Sequence, residues 1–484
     1  MAADTPAGLS PRGPVVVAGA TGFVGWALAR FLSSDYRVIG LSRMPPRTDA
    51  GNRIEWRSCD LFSLQQCEAA LDGASRAFYL VHSMWPSARF TQGNFEDMDL
   101  ICADNFARAA AKAGVKQIVY LGGLIPDEPD LSPHLRSRLE VEETLGSWGV
   151  SVTALRAGIV IGPFGSSYRI FRTLVERVPV IPCPAWTRSL TQPVALDDVL
   201  ALLRYCLDHP APRNRDFDIG SPDVMSYREL IERTARIMDL KRTFIDVPFS
   251  GTLWCRWWLS RVTGAPREMV SPLLESVRHS MVARDRGFQK AAGVPGIPFE
   301  AAVRAALSSE RAAGREDRPP ADQRSGRRMI HQNDVRSVQR MPLPAGLTAR
   351  QVAERYSDWL PGIFRTFVRA DVDGGKNVRF RPVFSRTSLL DLAFFAERSG
   401  LADRQVFIIA GGLLARRVAA RSSGRPRLEF REVLRREVLL VAIHDYHPTL
   451  PWYVYNCTQA LLHLWVMRSF ARHLSELAQG PICR

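Results

Sequence analysis

The sequence predicts an α/β fold: a doubly wound parallel sheet with a helical cap, followed by a separate α+β domain. Three observations predict it. Short apolar strands alternate with helical segments from Val15 to Ile161, a pattern that requires a parallel sheet covered by helices on both faces. Gly19, Gly22 and Gly25 follow the first strand at three-residue spacing and open a helix. Near residue 341 the pattern changes to closely spaced β-like runs ending in one long apolar helix.

In order, the first 13 residues read as a disordered tail. Strands are expected at 15–20, 36–41, 54–60, 77–81, 117–121 and 152–161. Helices are expected at 22–32, 64–71, 95–113 and 135–148. Gly114 and Gly149 stand where helix C-caps belong. From about Ser226 strand signals fade. Helices at 227–238 and 266–280 flank the tryptophan-rich run Leu253–Leu259, and residues 226–310 read as a cap or substrate region on a 14–225 sheet domain. Residues 311–340 carry eight arginines against four acids, which reads as a solvated basic tether. Residues 341–484 read as the α+β domain. It has a helix at 349–359, strands at 378–383, 389–395, 405–409, 427–433 and 438–444, and a helix from Leu450 to about Leu477. That order suggests a helix-grip shape. The last helix, apolar nearly all round, is expected to lie buried against the sheet.

The 484 residues exceed one hydrophobic core. Net charge is +15, and 59 of the 64 basic residues are arginine, which favours anionic partners without naming one. Nucleic acid is not expected. The eight cysteines are scattered, with no CxxC pair, and no signal peptide precedes the first strand. Reduced thiols and a cytoplasmic location follow as expectations. No run of 18 apolar residues appears, so a spanning helix is not expected. Peripheral membrane contact stays open through the tryptophan run or the terminal helix. The oligomeric state is not legible.

The run Gly19-Ala20-Thr21-Gly22-Phe23-Val24-Gly25 after a buried strand is the turn of a Rossmann-type, NAD(P)-binding sheet. The first glycine makes the tight turn and the second lets backbone approach a pyrophosphate. The third lets the helix pack close to the strand, with the phosphates at its positive N-terminus. The second strand ends in Ser42-Arg43. An acid there would bind the ribose 2′-hydroxyl of NAD, whereas an arginine and a hydroxyl suit the 2′-phosphate of NADP. NADP is therefore expected rather than NAD. Asp60 and Leu61, after the third strand, are placed to meet the adenine.

These features resemble the atypical short-chain dehydrogenases/reductases, and more closely the NAD(P)-binding proteins of the YbjT-like group. The strings Tyr79–Met84, Ala113-Gly114-Val115 with Ile118–Leu124, Leu155–Gly162, Gln192-Pro193-Val194 and Asp197-Asp198-Val199 carry the resemblance over about residues 14–310. It implies that Val81, His82 and Ser83 lie along the cofactor, with Gly122 near the nicotinamide. It does not extend to residues 341–484.

That superfamily uses a serine after its fifth strand and a Tyr-x-x-x-Lys on the next helix. Here the serine position reads Gly122-Gly123, and the helix window puts His134 for tyrosine and Arg138 for lysine. Histidine transfers protons near neutral pH. Arginine can hold a ribose but is no base. Two readings stand side by side. One is an NADP-dependent oxidoreductase acting on an apolar small molecule, with His134 as acid/base. The other is a non-catalytic NADP-binding sensor or assembly factor, with a C-terminal domain that binds an apolar ligand. Glu140, Glu142 and Glu143 read as a solvated helix face. His444, His447 and His463 read as polar residues around a helix start, and no metal is expected.

Overall fold

The computed structural model describes residues 13–46, 54–82, 90–209, 214–248, 252–314, 317–320, 335–364, 367–374, 376–399, 402–415 and 425–479. The expected N-terminal tail, Ser83, and the stretch 321–334 of the expected tether lie outside them. Two compact units form, one of residues 1–84 with 102–328 and one of 85–101 with 329–484.

The opening elements are β1 (Val15–Ala18), α1 (Phe23–Leu32), β2 (Val38–Ser42), β3 (Ile54–Ser58), α2 (Leu64–Leu71) and β4 (Arg76–Tyr79). Next come β5 (Phe90–Gln92), α3 (Phe95–Lys112), β6 (Gln117–Gly123), α4 (Pro133–Gly146) and β7 (Ser151–Ala157). The first unit continues with α5 (Ser166–Arg177), β8 (Val180–Cys183), α6 (Leu196–Asp208), β9 (Arg215–Ile219) and α7 (Tyr227–Ile237). It ends with β10 (Thr243–Asp246), α8 (Thr252–Thr263), α9 (Arg267–Ser276) and α10 (Phe299–Ala312).

Seven parallel strands form the first unit's sheet in the order β3-β2-β1-β4-β6-β7-β9. The order reverses between β1 and β4, so the sheet is doubly wound and a crevice opens at the carboxyl ends there. Central strands are apolar because both faces are covered. On one face Leu28 and Leu32 of α1 meet Leu202 and Leu203 of α6, all fully buried. On the other, Tyr79 stacks edge-on against Phe106 of α3 at 5.1 Å. Each such side chain contributes roughly 1.5–3 kcal/mol by leaving water.

The cap has its own core of Phe171 and Leu174 from α5, Leu230 and Ile231 from α7, Cys255 and Leu259 from α8, and Phe299 from α10. A reciprocal capping box between Ser226 and Glu229 starts α7. Strand β10, where sequence signals had faded, pairs in parallel with β8. The tryptophan run forms α8, and α10 extends to Ala312.

The second unit comprises β11 (Val335–Pro342), α11 (Ala349–Ile363), β12 (Val368–Val372), β13 (Val378–Pro382), β14 (Leu390–Phe394) and β15 (Arg404–Gly411). It finishes with β16 (Arg427–Val433), β17 (Val438–Tyr446), α12 (Trp452–Cys457) and α13 (Gln459–Gln479). One eight-stranded sheet runs β12-β13-β14-β15-β16-β17-β11-β5, antiparallel except that β5 runs parallel to β11. Apart from the edge strand β5, the opening strand β11 lies beside the last, β17, with α11 after β11 and α12 and α13 after β17, which is the helix-grip order. The rings of Tyr356, Phe407, Phe430 and Phe470 interlock between sheet and helices.

Three expectations need correction here. Residues 335–340 are strand rather than tether, because their polar side chains find partners: Arg340 pairs with Asp97 at 2.7 Å and Ser337 meets His463 at 3.1 Å. The terminal helix breaks at Thr458, whose backbone is non-helical. Nor is α13 buried all round. Val466, Met467, Phe470 and Leu474 face the core, while Leu461, Leu462 and Trp465 are exposed. Among the described residues, no helix is long and apolar enough to cross a membrane.

Glu429 sits fully buried in β16, accepting hydrogen bonds from Arg404 Nε and Arg431 Nε, each at 2.6 Å. Burial alone would raise its pKa, but the two guanidiniums outweigh burial and hold it well below the usual value of 4.5. A depressed carboxylate stabilises the fold above its unfolded-state pKa, and that stability is lost as pH falls through the folded value. Glu429→Ala should therefore cost about 3–5 kcal/mol at neutral pH, since it strands two buried guanidiniums. Urea unfolding at pH 7 and pH 4 checks this, and the deficit should shrink at the lower pH.

Candidate functional site

The register of the first unit fixes which residues meet at the carboxyl edge of its sheet. Ala18 lies beside Leu41 of β2 and Tyr79 of β4. Leu41 lies beside Arg57 of β3, and Tyr79 beside Tyr120 of β6. A step beyond these positions stand Gly19, Ser42 with Arg43, Asp60 with Leu61, Val81 with His82, and Gly122. The structure thus gathers on one edge every nucleotide-site residue the sequence pointed to, Ser83 lying outside the described residues.

The glycine turn is built as its spacing requires. Gly19 has φ +85°, and a Cβ there would stand 2.8 Å from the Leu80 carbonyl and 3.3 Å from Val81 Cγ2. The Gly22 amide donates to Gly19 O at 2.9 Å. A Cβ on Gly25 would lie 2.1 Å from Gly19 O, so only glycine seats α1 this close to β1. At Gly22 a Cβ would meet only Gly19 O, at 3.3 Å, leaving open space at the N-terminus of α1. No acid lies in the first turn of α1, and no side chain caps it. Its amides face a site suited to an anion. Thr21, Phe23 and Val24 are half-buried around the turn, and Phe23 rests where a Cβ on Gly162 or Gly165 would come within 3.1 Å of its ring.

Arg43 is exposed just past β2. Ser42 holds the turn, its Oγ accepting from the Met44 amide at 3.2 Å. Asp60 Oδ1 accepts from the Phe62 amide, and the Leu61 carbonyl accepts from Asn105 Nδ2 at 2.8 Å, so this loop is held in place.

Helix α4 brings the second group. Ser132 caps it, accepting from the Leu135 amide, and Pro133 begins it, which places His134 in the first turn. The His134 and His82 rings lie 5.2 Å apart. Arg138, four residues on and therefore on the same face, is buried. Its Nη1 is 3.4 Å from the Tyr120 hydroxyl, and its Cγ is 3.9 Å from where a Gly123 Cβ would be. Tyr120 explains the missing serine. A Cβ on Gly122 would stand 2.8 Å from Tyr120 Cε1, so the ring occupies the space a hydroxyl side chain would need.

Two features escaped the sequence reading. Tyr120 is one, though residues two apart on a strand share a face and Gly122 follows it at that spacing. The other is an ion-pair network. Arg156 of β7 forms a bidentate pair with Glu142 of α4 at 3.0 and 2.8 Å and also meets Asp216 at 2.8 Å, while Arg284 joins Asp216 and Asp218. Glu142 is thus not part of a solvated face; burial pushes its pKa up despite Arg156. The signal was an arginine inside the apolar run of β7. Of the histidines weighed as metal ligands, His444 lies beside Glu429 and His463 bonds Ser337. Among the described residues no cluster of three His, Cys, Asp or Glu is placed to hold a metal ion.

Residues 15–220 match the NAD dependent epimerase/dehydratase family. The chain is 32% identical over 139 residues to the auxiliary protein GraX of Staphylococcus aureus, covering 28% of this chain and 42% of that protein. It is 22% identical over 268 residues to a UDP-glucose 4-epimerase of Vibrio cholerae, covering 50% of this chain and 79% of the relative. It is 26% identical over 245 residues to a ceramide reductase of Caulobacter vibrioides, covering 50% and 76%. The match to the first of these spans less than half of that relative's length. Residues 341–484 lie outside the family match. Over residues 15–220 this chain is therefore similar to the NAD dependent epimerase/dehydratase family, and its seven parallel strands have the doubly wound order of a Rossmann sheet.

Proposed function

We propose that the first unit is an NADP-dependent oxidoreductase that transfers hydride between the nicotinamide and an apolar small molecule. The observation that carries this reading is the placement of His134, with Arg138 one turn behind, beside His82 on the element that follows the Gly122-bearing strand. The relative that is a ceramide reductase supports both reduction and an apolar substrate.

The residues fit the cofactor. The open space at Gly22, where a Cβ would meet one carbonyl alone, suits a pyrophosphate on the amides of Gly22 to Gly25. Ser42 and the exposed Arg43 would take the 2′-phosphate. Asp60 and Leu61 would meet the adenine, and Val81, His82 and Gly122 would line the nicotinamide end. The cofactor, when bound, supplies or accepts the hydride. His134 gives a proton to the substrate oxygen in reduction and takes it back in oxidation. Arg138 brings a fixed positive charge and takes no proton.

One observation favours a second reading. The Tyr120 ring against Gly122 removes the family's hydroxyl, which suits a protein that binds NADP without turnover and acts as a sensor or assembly factor.

Fluorescence titration should show tighter binding of NADPH than NADH. Charge-assisted hydrogen bonds contribute about 1.5–3 kcal/mol, so Arg43→Ala should weaken NADPH roughly 10–100-fold and leave NADH unchanged. Equal affinities in the unaltered protein would refute the role of Arg43. Screening carbonyls and quinones for loss of nicotinamide absorbance should reveal turnover, which His134→Phe should reduce roughly 100-fold or more while NADPH still binds. Undiminished turnover in that variant removes His134 as the acid. NADPH binding without turnover on any compound, together with a copurifying partner, favours the second reading. Gly122→Ser, the change that reinstates the family hydroxyl, should destabilise the fold by about 1–3 kcal/mol through overpacking on Tyr120. Combining it with Tyr120→Leu should recover most of that loss in thermal unfolding.

A further inference from the structure

The cap carries a surface that the nucleotide site does not use. Cys255 and Leu259 anchor α8 in the cap core. The opposite side of the helix presents Trp254 at 45% exposure and Trp257 at 51%. Trp254 stacks on Trp258, ring centroids 5.9 Å apart and 10° from parallel. Trp258 and Val262 then form one wall of an open apolar groove of about 380 Å³. Val180 and Pro182 of β8, with Ile245 and Val247 at β10, form the other wall. Val180 and Ile245 are themselves 46% and 49% exposed. Four large apolar side chains left half in water on adjoining elements form a patch of the kind that marks an interaction surface.

Charge indicates what the patch meets. The segments that build it carry Arg177, Arg188, Lys241, Arg242, Arg256 and Arg261. The acids on these segments are Glu176, Asp239 and Asp246. Glu176 pairs with Arg172 at 3.1 Å, and Asp246 pairs with Arg228 at 3.0 Å and with Arg188 at 3.9 Å. No acid lies between Thr252 and Ala265. Arg177 stands on the groove itself, donating from Nη1 to the Val262 carbonyl at 2.8 Å. Tryptophan rings amid arginines, on a helix firmly seated by its other face, are the chemistry of a bilayer interface. The rings settle among headgroups and the guanidiniums meet lipid phosphates. A second copy of this chain would bring the same basic rim face to face with this one, which electrostatics opposes.

We propose that α8 and the groove beside it dock the first unit on a membrane surface rich in anionic phospholipid, with Trp254 and Trp257 entering the headgroup layer. The inference does not rest on the proposed reaction and stands or falls separately from it. Co-sedimentation of the full chain with phosphatidylcholine vesicles, with and without about one third phosphatidylglycerol, tests it. The protein should pellet with the anionic vesicles, stay in solution with the neutral ones, and be released by raised salt. Trp254→Ser/Trp257→Ser and Arg256→Glu/Arg261→Glu should each weaken binding at least tenfold, with circular dichroism unchanged. Should the serine variant misfold, Trp254→Phe/Trp257→Phe keeps the apolar surface. That variant should bind like the parent yet lose most of the fluorescence quenching that brominated lipid produces in the parent. No pelleting with anionic vesicles at low salt, or serine-variant binding equal to the parent's, would overturn the proposal. So would a lipid-free dimer that the serine variant splits, because the patch would then belong to a second copy.

Discussion

The approach of Gly25 to Gly19 is the constraint on which the first unit depends. A methyl group at Gly25 would lie 2.1 Å from the Gly19 carbonyl, well inside any real contact. Helix α1 therefore packs on β1 at a distance that only a bare backbone allows. The left-handed backbone at Gly19 then turns the chain under α1, and the same residue is pressed on its other side by the Leu80 carbonyl. Moving either contact would move both the amides at the helix start and the strand end that carries Val81 and His82. The next strand repeats the device at its own scale: a Cβ on Gly40 would stand 2.7 Å from the Trp56 ring, which itself stacks on Trp26 of α1 at 6.1 Å. The backbone contact between Gly25 and Gly19 on one side of α1, and the Trp26–Trp56 stack on the other, thus set where a nucleotide would lie at the helix start.

The other half of the site follows a different logic. A short-chain dehydrogenase normally points a serine from the fifth strand toward its tyrosine. Here the phenol sits two residues earlier, buried and hydrogen-bonded to Arg138, and its ring fills the position of the missing serine. The Tyr120 hydroxyl and the Arg138 guanidinium meet at 3.4 Å, both buried beneath the strand edge. The rings of His134 and His82 lie 5.2 Å apart at that edge. The arrangement is internally consistent, since glycine at 122 is what admits the Tyr120 ring.

Legibility tracks how locally each feature is encoded. Strands buried on both faces, such as β1 and β16, declare themselves as apolar or alternating runs, and Arg427–Val433 appears in the structure with the boundaries its pattern implies. The glycine turn is equally local. Strand β11 was not legible because its polar residues look solvated until their partners are known. Asp97 and His463 are far away in sequence. The terminal helix misled in the opposite sense: apolar residues all round imply complete burial, yet the sheet covers only one side, and Leu461 and Trp465 remain in contact with water. In the site, the candidate proton carrier was legible by alignment to a motif. The reason for its unusual setting, the Tyr120 ring, required knowing which way a strand residue points.

The same distinction decides what the charge of +15 means. Taken as composition, it suggests a basic surface seeking an anion. Much of the arginine is instead structural. Arg404 and Arg431 clamp Glu429 in a sheet, Arg156 and Arg284 tie acids of β9 to their neighbours, and Arg242 caps the carbonyls of Val175 and Glu176 at the end of α5. Guanidinium suits this work, because its planar fork satisfies several acceptors at once where an ammonium cannot. An arginine committed to carboxylates contributes little field outside the protein. The excess that matters for a partner is the part left without acids nearby, and around α8 that excess coincides with exposed tryptophan. Two independent signals, uncompensated cation and uncovered aromatic surface, fall on the same few elements there, which composition alone had no means of revealing.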